Sequence, residues 1–132
     1  MNYVDLTASA AEIRSKTGDL FDIENYKDSD LVQLKRVDAL NDLKLDLIIE
    51  LGLLETDVAS LNEVTANHSL VLSKSLCLKQ LEIYFLAENQ GEGSVSYDRW
   101  KTFSKEYNNL KSTFASLRNS NVSSFSTVSF TR

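Results

Sequence analysis

Four carboxylates, Asp38, Asp42, Asp46 and Glu50, recur at every fourth residue. On a helix that spacing stacks them into one acidic ridge roughly 18 Å long. A close pair of carboxylates in an apolar pocket can serve as general acid and base. Four evenly spaced ones without a pocket suit a solvated outer face, or a wall to which a polyanion does not stick. His68 and Cys77 are the only residues of their types. As base and nucleophile they would need a third group to orient them and a turn to expose them, and the sequence around them offers neither. His68 is expected in the loop before a helix, and Cys77 in an apolar run as a small buried hydrophobe. One His and one Cys do not make the usual zinc sets. No Glu-x-x-His pair suits a di-iron bundle, and no acidic Gly-containing loop suits calcium. Gly91-Glu92-Gly93 lacks the spacing and the lysine of a phosphate cradle. No catalytic, metal-binding or cofactor-binding set emerges, so a non-enzymatic role is expected.

The elements that position these residues are helical. The chain has 132 residues, 42% hydrophobic and 25% charged, with four Gly and no Pro. Nothing in it punctures a helix, which favours long ones. Ser9 and Glu12 have capping-box spacing and, with Thr7 as a rival cap, open a short helix around Ile13 that Gly18 ends. Residues 19–26 alternate weakly and read as extended or loop. A long helix runs from Asp28 or Ser29 to Gly52, with Leu31, Leu34, Val37, Leu40, Leu43 or Lys44, Leu47, Ile48 and Leu51 at helical spacing. Residues 53–66 fit either a loop or a short helix capped by Thr56 or Asp57. From Ser69 to Glu88 apolar residues occupy more than one face, so this helix is the central one. Residues 89–94 connect it to a last helix that starts near Ser96 or Asp98 and ends near Arg118. On that helix Trp100, Phe103, Tyr107, Leu110, Phe114 and Leu117 recur in steps of three and four. Aromatic residues can stack bases, but at helical spacing they belong to a core.

Residues 119–132 are different. Five Ser and two Thr favour local hydrogen bonds over helix. Val122, Phe125, Val128 and Phe130 are too few to build a core, and Arg132 follows them. Val128 and Phe130 alternate with polar residues as a strand would. The expected architecture is therefore all-α: an elongated bundle of about four helices over residues 1–118, with an extended C-terminal arm over 119–132. The arm residues Val122, Phe125, Val128, Phe130 and Arg132 are the candidate partner-binding set.

Charge divides the chain. Residues 1–88 carry 8 Lys/Arg against 16 Asp/Glu, and residues 89–132 carry 6 against 3, for a net charge of −5. An acidic body repels nucleic-acid phosphates, while a basic C-terminal third suits an acidic partner, including a neighbouring copy. A single Cys excludes an intrachain disulfide. The start, MNYVDLTASAAEIR, lacks the basic and apolar regions of a signal peptide. No run is long enough for a membrane span.

This order of elements, with the runs Leu76–Phe85 and Tyr97–Tyr107, resembles the head–tail adaptor (connector) proteins of tailed bacteriophages. The second run, with Asp98, Trp100, Lys101 and Glu106-Tyr107, is similar to their helix of an aspartate, a bulky aromatic, a basic residue and then Glu-Tyr. The resemblance covers most of the chain in architecture and residues 70–118 at residue level. It implies a structural protein of the virion neck, made in the host cytoplasm. Its copies would form a homo-oligomeric ring under the portal protein, with the arm docked on the portal, a neighbouring copy or other neck or tail proteins. DNA would pass through the ring without specific binding, and the ridge Asp38, Asp42, Asp46 and Glu50 would face the channel. The rival expectation is a soluble helical regulatory or binding module that dimerises or grips a helix through the last helical stripe.

Overall fold

The computed structural model describes residues 1–17, 26–88, 91 and 93–117. Among them the chain is all-α, as expected, with no strand. One 3-10 turn, Tyr3–Asp5, precedes six α-helices: α1 (Ala10–Thr17), α2 (Asp28–Gln33), α3 (Arg36–Leu51), α4 (Val58–Asn67), α5 (Ser69–Ala87) and α6 (Val95–Lys111). Gly18, residues 19–25 of the 19–26 segment read as extended or loop, and the arm 119–132 lie outside the described residues.

Helix starts follow from local side chains. Ser9 Oγ accepts from the Glu12 N–H at 3.1 Å and opens α1. Asp57 Oδ1 accepts from the Ser60 N–H at 3.1 Å, which makes the ambiguous stretch after Gly52 a helix. Each satisfies one of the donors that a helix N-terminus leaves unpaired. The last helix begins earlier than its sequence suggests, because Ser94 Oγ, in the connecting stretch, accepts from the Tyr97 N–H at 3.0 Å. Gly52 ends α3 at φ 68°, the left-handed conformation that suits glycine.

Two departures concern helices expected to be continuous. The long helix after Asp28 is broken: Leu34 and Lys35 turn between α2 and α3, and Lys35 takes φ 52°, which costs a non-glycine residue about 1–2 kcal/mol. The break lets α2 pack beside α1 while α3 packs on α5. Gln80 of α5, fully buried, fills the gap. Its Nε2 donates to the carbonyls of Val32 at 3.1 Å and Leu34 at 2.7 Å, groups that an unbroken helix would have paired internally. The expected last helix likewise stops at Lys111. Ser112 and Thr113 turn, and residues 114–117 form a further helical turn that carries Phe114 and Leu117 into the core.

The break also resets the phase of α3. Its core face is Ala39, Leu43, Leu47 and Leu51, one residue every four. Val37, expected on the apolar stripe, is instead 67% exposed. Helix α5 is the centre, as its all-round apolar composition predicts. It packs chiefly on α6 and α3, and also on α4 and α1. Its buried Ser75 donates to the Val71 carbonyl at 2.9 Å, so the hydroxyl enters the core without loss of its hydrogen bond.

The segment before α1 is held to the bundle by three helices. Tyr3 is buried, its N–H donates to Asn62 Oδ1 of α4 at 2.8 Å, and its hydroxyl donates to the Leu40 carbonyl of α3. Arg36 donates to the Val4 carbonyl at 2.7 Å and the Leu6 carbonyl at 2.9 Å. Ser73 of α5 donates to the Thr7 carbonyl at 2.7 Å. Together with buried Leu6 and Ala8, these contacts make residues 1–8 a strap across the bundle.

Candidate functional site

The stripe of the last helix is spent inside its own chain. Phe103, Tyr107, Phe114 and Leu117 are buried, and Trp100 and Leu110 are half-buried. Phe103 stacks on Phe85 of α5 with centroids 5.7 Å apart, and Tyr107 meets Phe114 edge-on at 6.4 Å. Each fully buried side chain of this kind contributes about 1.5–3 kcal/mol of gross hydrophobic stabilisation.

The acidic ridge is only partly a free face. Asp38, Asp42 and Glu50 are exposed, whereas Asp46 is half-buried. Asp46 Oδ2 accepts from the Tyr107 hydroxyl at 2.5 Å, tying α3 to α6. Burial first, and then the bond to and charge of Asp46, push the Tyr107 phenol well above its usual range. The ammonium of Lys79 lies 4.0 Å from the Tyr107 ring centre and 2.6 Å from Glu82 Oε1. A small polar network thus joins α3, α5 and α6 beside the core. No sequence signal marked it, because its partners come from three helices far apart in the chain.

His68 and Cys77 are not brought together. His68 is the single residue between α4 and α5. Cys77 lies nine residues further on, about 13 Å along a helix axis. Burial pushes the Cys77 thiol up to about 12, which keeps it protonated and unreactive. Among the described residues no three His, Cys, Asp or Glu side chains converge as metal ligands, and no helix is long and apolar enough to cross a membrane.

What the structure adds is an uncovered apolar cleft. Val4 of the strap, Val37 of α3 and Val58 of α4 are 69%, 67% and 54% exposed. They border a cleft of about 230 Å³ that Leu40, Asn41 and Lys44 also line. A second cleft of about 370 Å³ continues along α3 past Asn41, Lys44, Leu45, Ile48, Glu55 and Thr56. Single exposed apolar residues are ordinary, but several from three elements around one concavity make a candidate interaction surface. Leu45, outside the expected stripe of α3, was the signal in the sequence, and it is 52% exposed. The arm residues Val122, Phe125, Val128, Phe130 and Arg132 lie outside the described residues.

No protein-family model, no curated protein and no solved structure matches the chain.

Proposed function

We propose that the protein is a structural head–tail adaptor of a tailed-phage neck. Its helical body joins other copies in a ring beneath the portal, and its C-terminal segment provides the attachment. The observation that carries this reading is the uncovered apolar cleft on α3 beside an acidic flank. Val37, Leu45 and Ile49 stand exposed on the same helix as Asp38 and Asp42. An assembly surface needs the first feature. A surface past which DNA slides without sticking is served by the second, because carboxylates repel phosphates. A regulator that dimerises or grips a helix through α6 would need that stripe free, and Phe103, Tyr107 and Phe114 are at most 2% exposed.

The test is removal of residues 120–132. The truncated chain is expected to keep its helical circular dichroism and to lose attachment to a portal ring in a pull-down. Attachment at full strength by the truncated chain refutes the reading.

A further inference from the structure

We propose that the cleft between the N-terminal strap, α3 and α4 receives the C-terminal segment of a second copy of this chain, with Phe130 and Val128 as the inserted side chains. The inference rests on the adaptor reading for its self-assembly, and on the following observations for its partner.

The first is fit. Engineered cavities of about 150 Å³ accept a benzene ring, so a cleft of about 230 Å³ has room for one aromatic side chain. The α3 residues lining this cleft are 37, 40, 41 and 44, and those lining its neighbour are 41, 44, 45 and 48. The second set is the first moved on by four residues, or about 6 Å along a helix. Alternate side chains of an extended segment are about 6.6 Å apart. Phe130 and Val128 are such a pair, so both enter together when the segment lies along α3. Asn41 lines both clefts, and its amide offers a donor and an acceptor to a passing backbone.

The second is charge. Residues 118–132 contain Arg118 and Arg132 and no Asp or Glu, whereas residues 1–88 hold twice as many acids as bases. Asp38 and Asp42 are exposed on α3 beside Val37 and Asn41. The lining itself carries Lys44 in both clefts and Glu55 in the second, so the attraction for a basic apolar segment comes from Glu55, from Asp38 and Asp42 outside the lining, and from the acidic body as a whole. The third is symmetry. A contact between the cleft of one copy and the end of another joins two different surfaces. Such a contact is heterologous, and it propagates to a ring when the rotation closes.

The test uses the full chain and two variants in sedimentation over a concentration series. Val37→Lys alters the cleft at an exposed position, and Phe130→Ser alters the inserted segment. The wild-type mass is expected to rise with concentration above the 14.9 kDa of one chain. Each variant alone associates at least tenfold more weakly. Mixed, the two form a one-to-one complex and nothing larger, because one intact segment then meets one intact cleft. A peptide of residues 118–132 competes with this complex and serves as the probe if Val37→Lys does not fold. The proposal is overturned if the wild type stays at the mass of one chain throughout the series. It is also overturned if both variants associate like the wild type, or if their mixture forms no complex. Portal attachment is scored separately on the same proteins. Loss of self-association by Phe130→Ser with attachment retained supports this inference and leaves the portal contact to the other residues of the C-terminal segment. Self-association with no attachment in the wild type removes the adaptor reading and leaves the cleft contact standing.

Discussion

Replacing Tyr107 by Phe removes one oxygen and leaves the ring in place. The ring is 1% exposed and keeps its contacts with Phe114 and with the Lys79 ammonium. What is lost is the bond from the hydroxyl to Asp46 Oδ2. Hydrogen bonds to charged groups contribute about 1.5–3 kcal/mol net. Asp46 is half-exposed and regains water when the phenol is gone, so the loss falls at the lower end, about 1–2 kcal/mol. With a urea m-value of about 2 kcal/mol/M for a chain of this size, the midpoint should drop by about 0.5–1 M. Asp46→Asn alone and the double variant complete a thermodynamic cycle, and coupling of at least 0.5 kcal/mol is expected for groups in direct contact. Four urea titrations, the wild type included, followed by circular dichroism measure it. A Tyr107→Phe midpoint within error of the wild type, together with no coupling, would refute the claim that this bond ties α3 to α6.

Two further predictions concern the interior. Gln80→Leu strands the carbonyls of Val32 and Leu34 at the joint between α2 and α3. It should destabilise the fold by about 1–3 kcal/mol, and hydrogen exchange should rise first at the amides of α2. The Cys77 thiol is pushed by burial from 9.0 to about 12, so the folded state holds its proton more tightly than the unfolded state. Its contribution to stability is complete below pH 9 and lost progressively as pH rises towards 12. Tyr3 and Tyr107, also raised chiefly by burial, act in the same direction. A melting temperature that falls between pH 9 and 11, with Cys77 inert to thiol reagents in the native state at pH 8, is the expected result. A flat profile over that window would contradict it.

Much of the helical plan was legible because it rests on local signals. Ser9, Asp57 and Gly52 cap their helices as short-range chemistry dictates. The stripe from Trp100 to Leu117 is buried because one helix can cover it. The break at Lys35 left no trace, since apolar spacing continues across it and no glycine or proline marks it. Its stabilising partner, Gln80, is more than forty residues away. Val37 was misplaced for the same reason, because a phase reset turns a core position outward. Ser94 was passed over because a serine in a glycine-rich stretch reads equally well as linker or cap. The cleft was the least legible part. A concavity built by Val4, Val37 and Val58 exists only once three elements have met.

One wall of that cleft is the strap of residues 1–8, and the strap is fastened by side chains of Arg36, Asn62 and Ser73 rather than by a helix of its own. Opening the strap withdraws Tyr3, Leu6 and Ala8 from the core they share with the helices, so the open form is a costly one. Each opening removes Tyr3 and Val4 from the rim, so only the latched fraction of molecules presents a complete receptor. The measured affinity for any occupant is diluted by that fraction. If copies dock there as proposed, a substitution at Arg36, which does not line the cleft, would tune how readily they join.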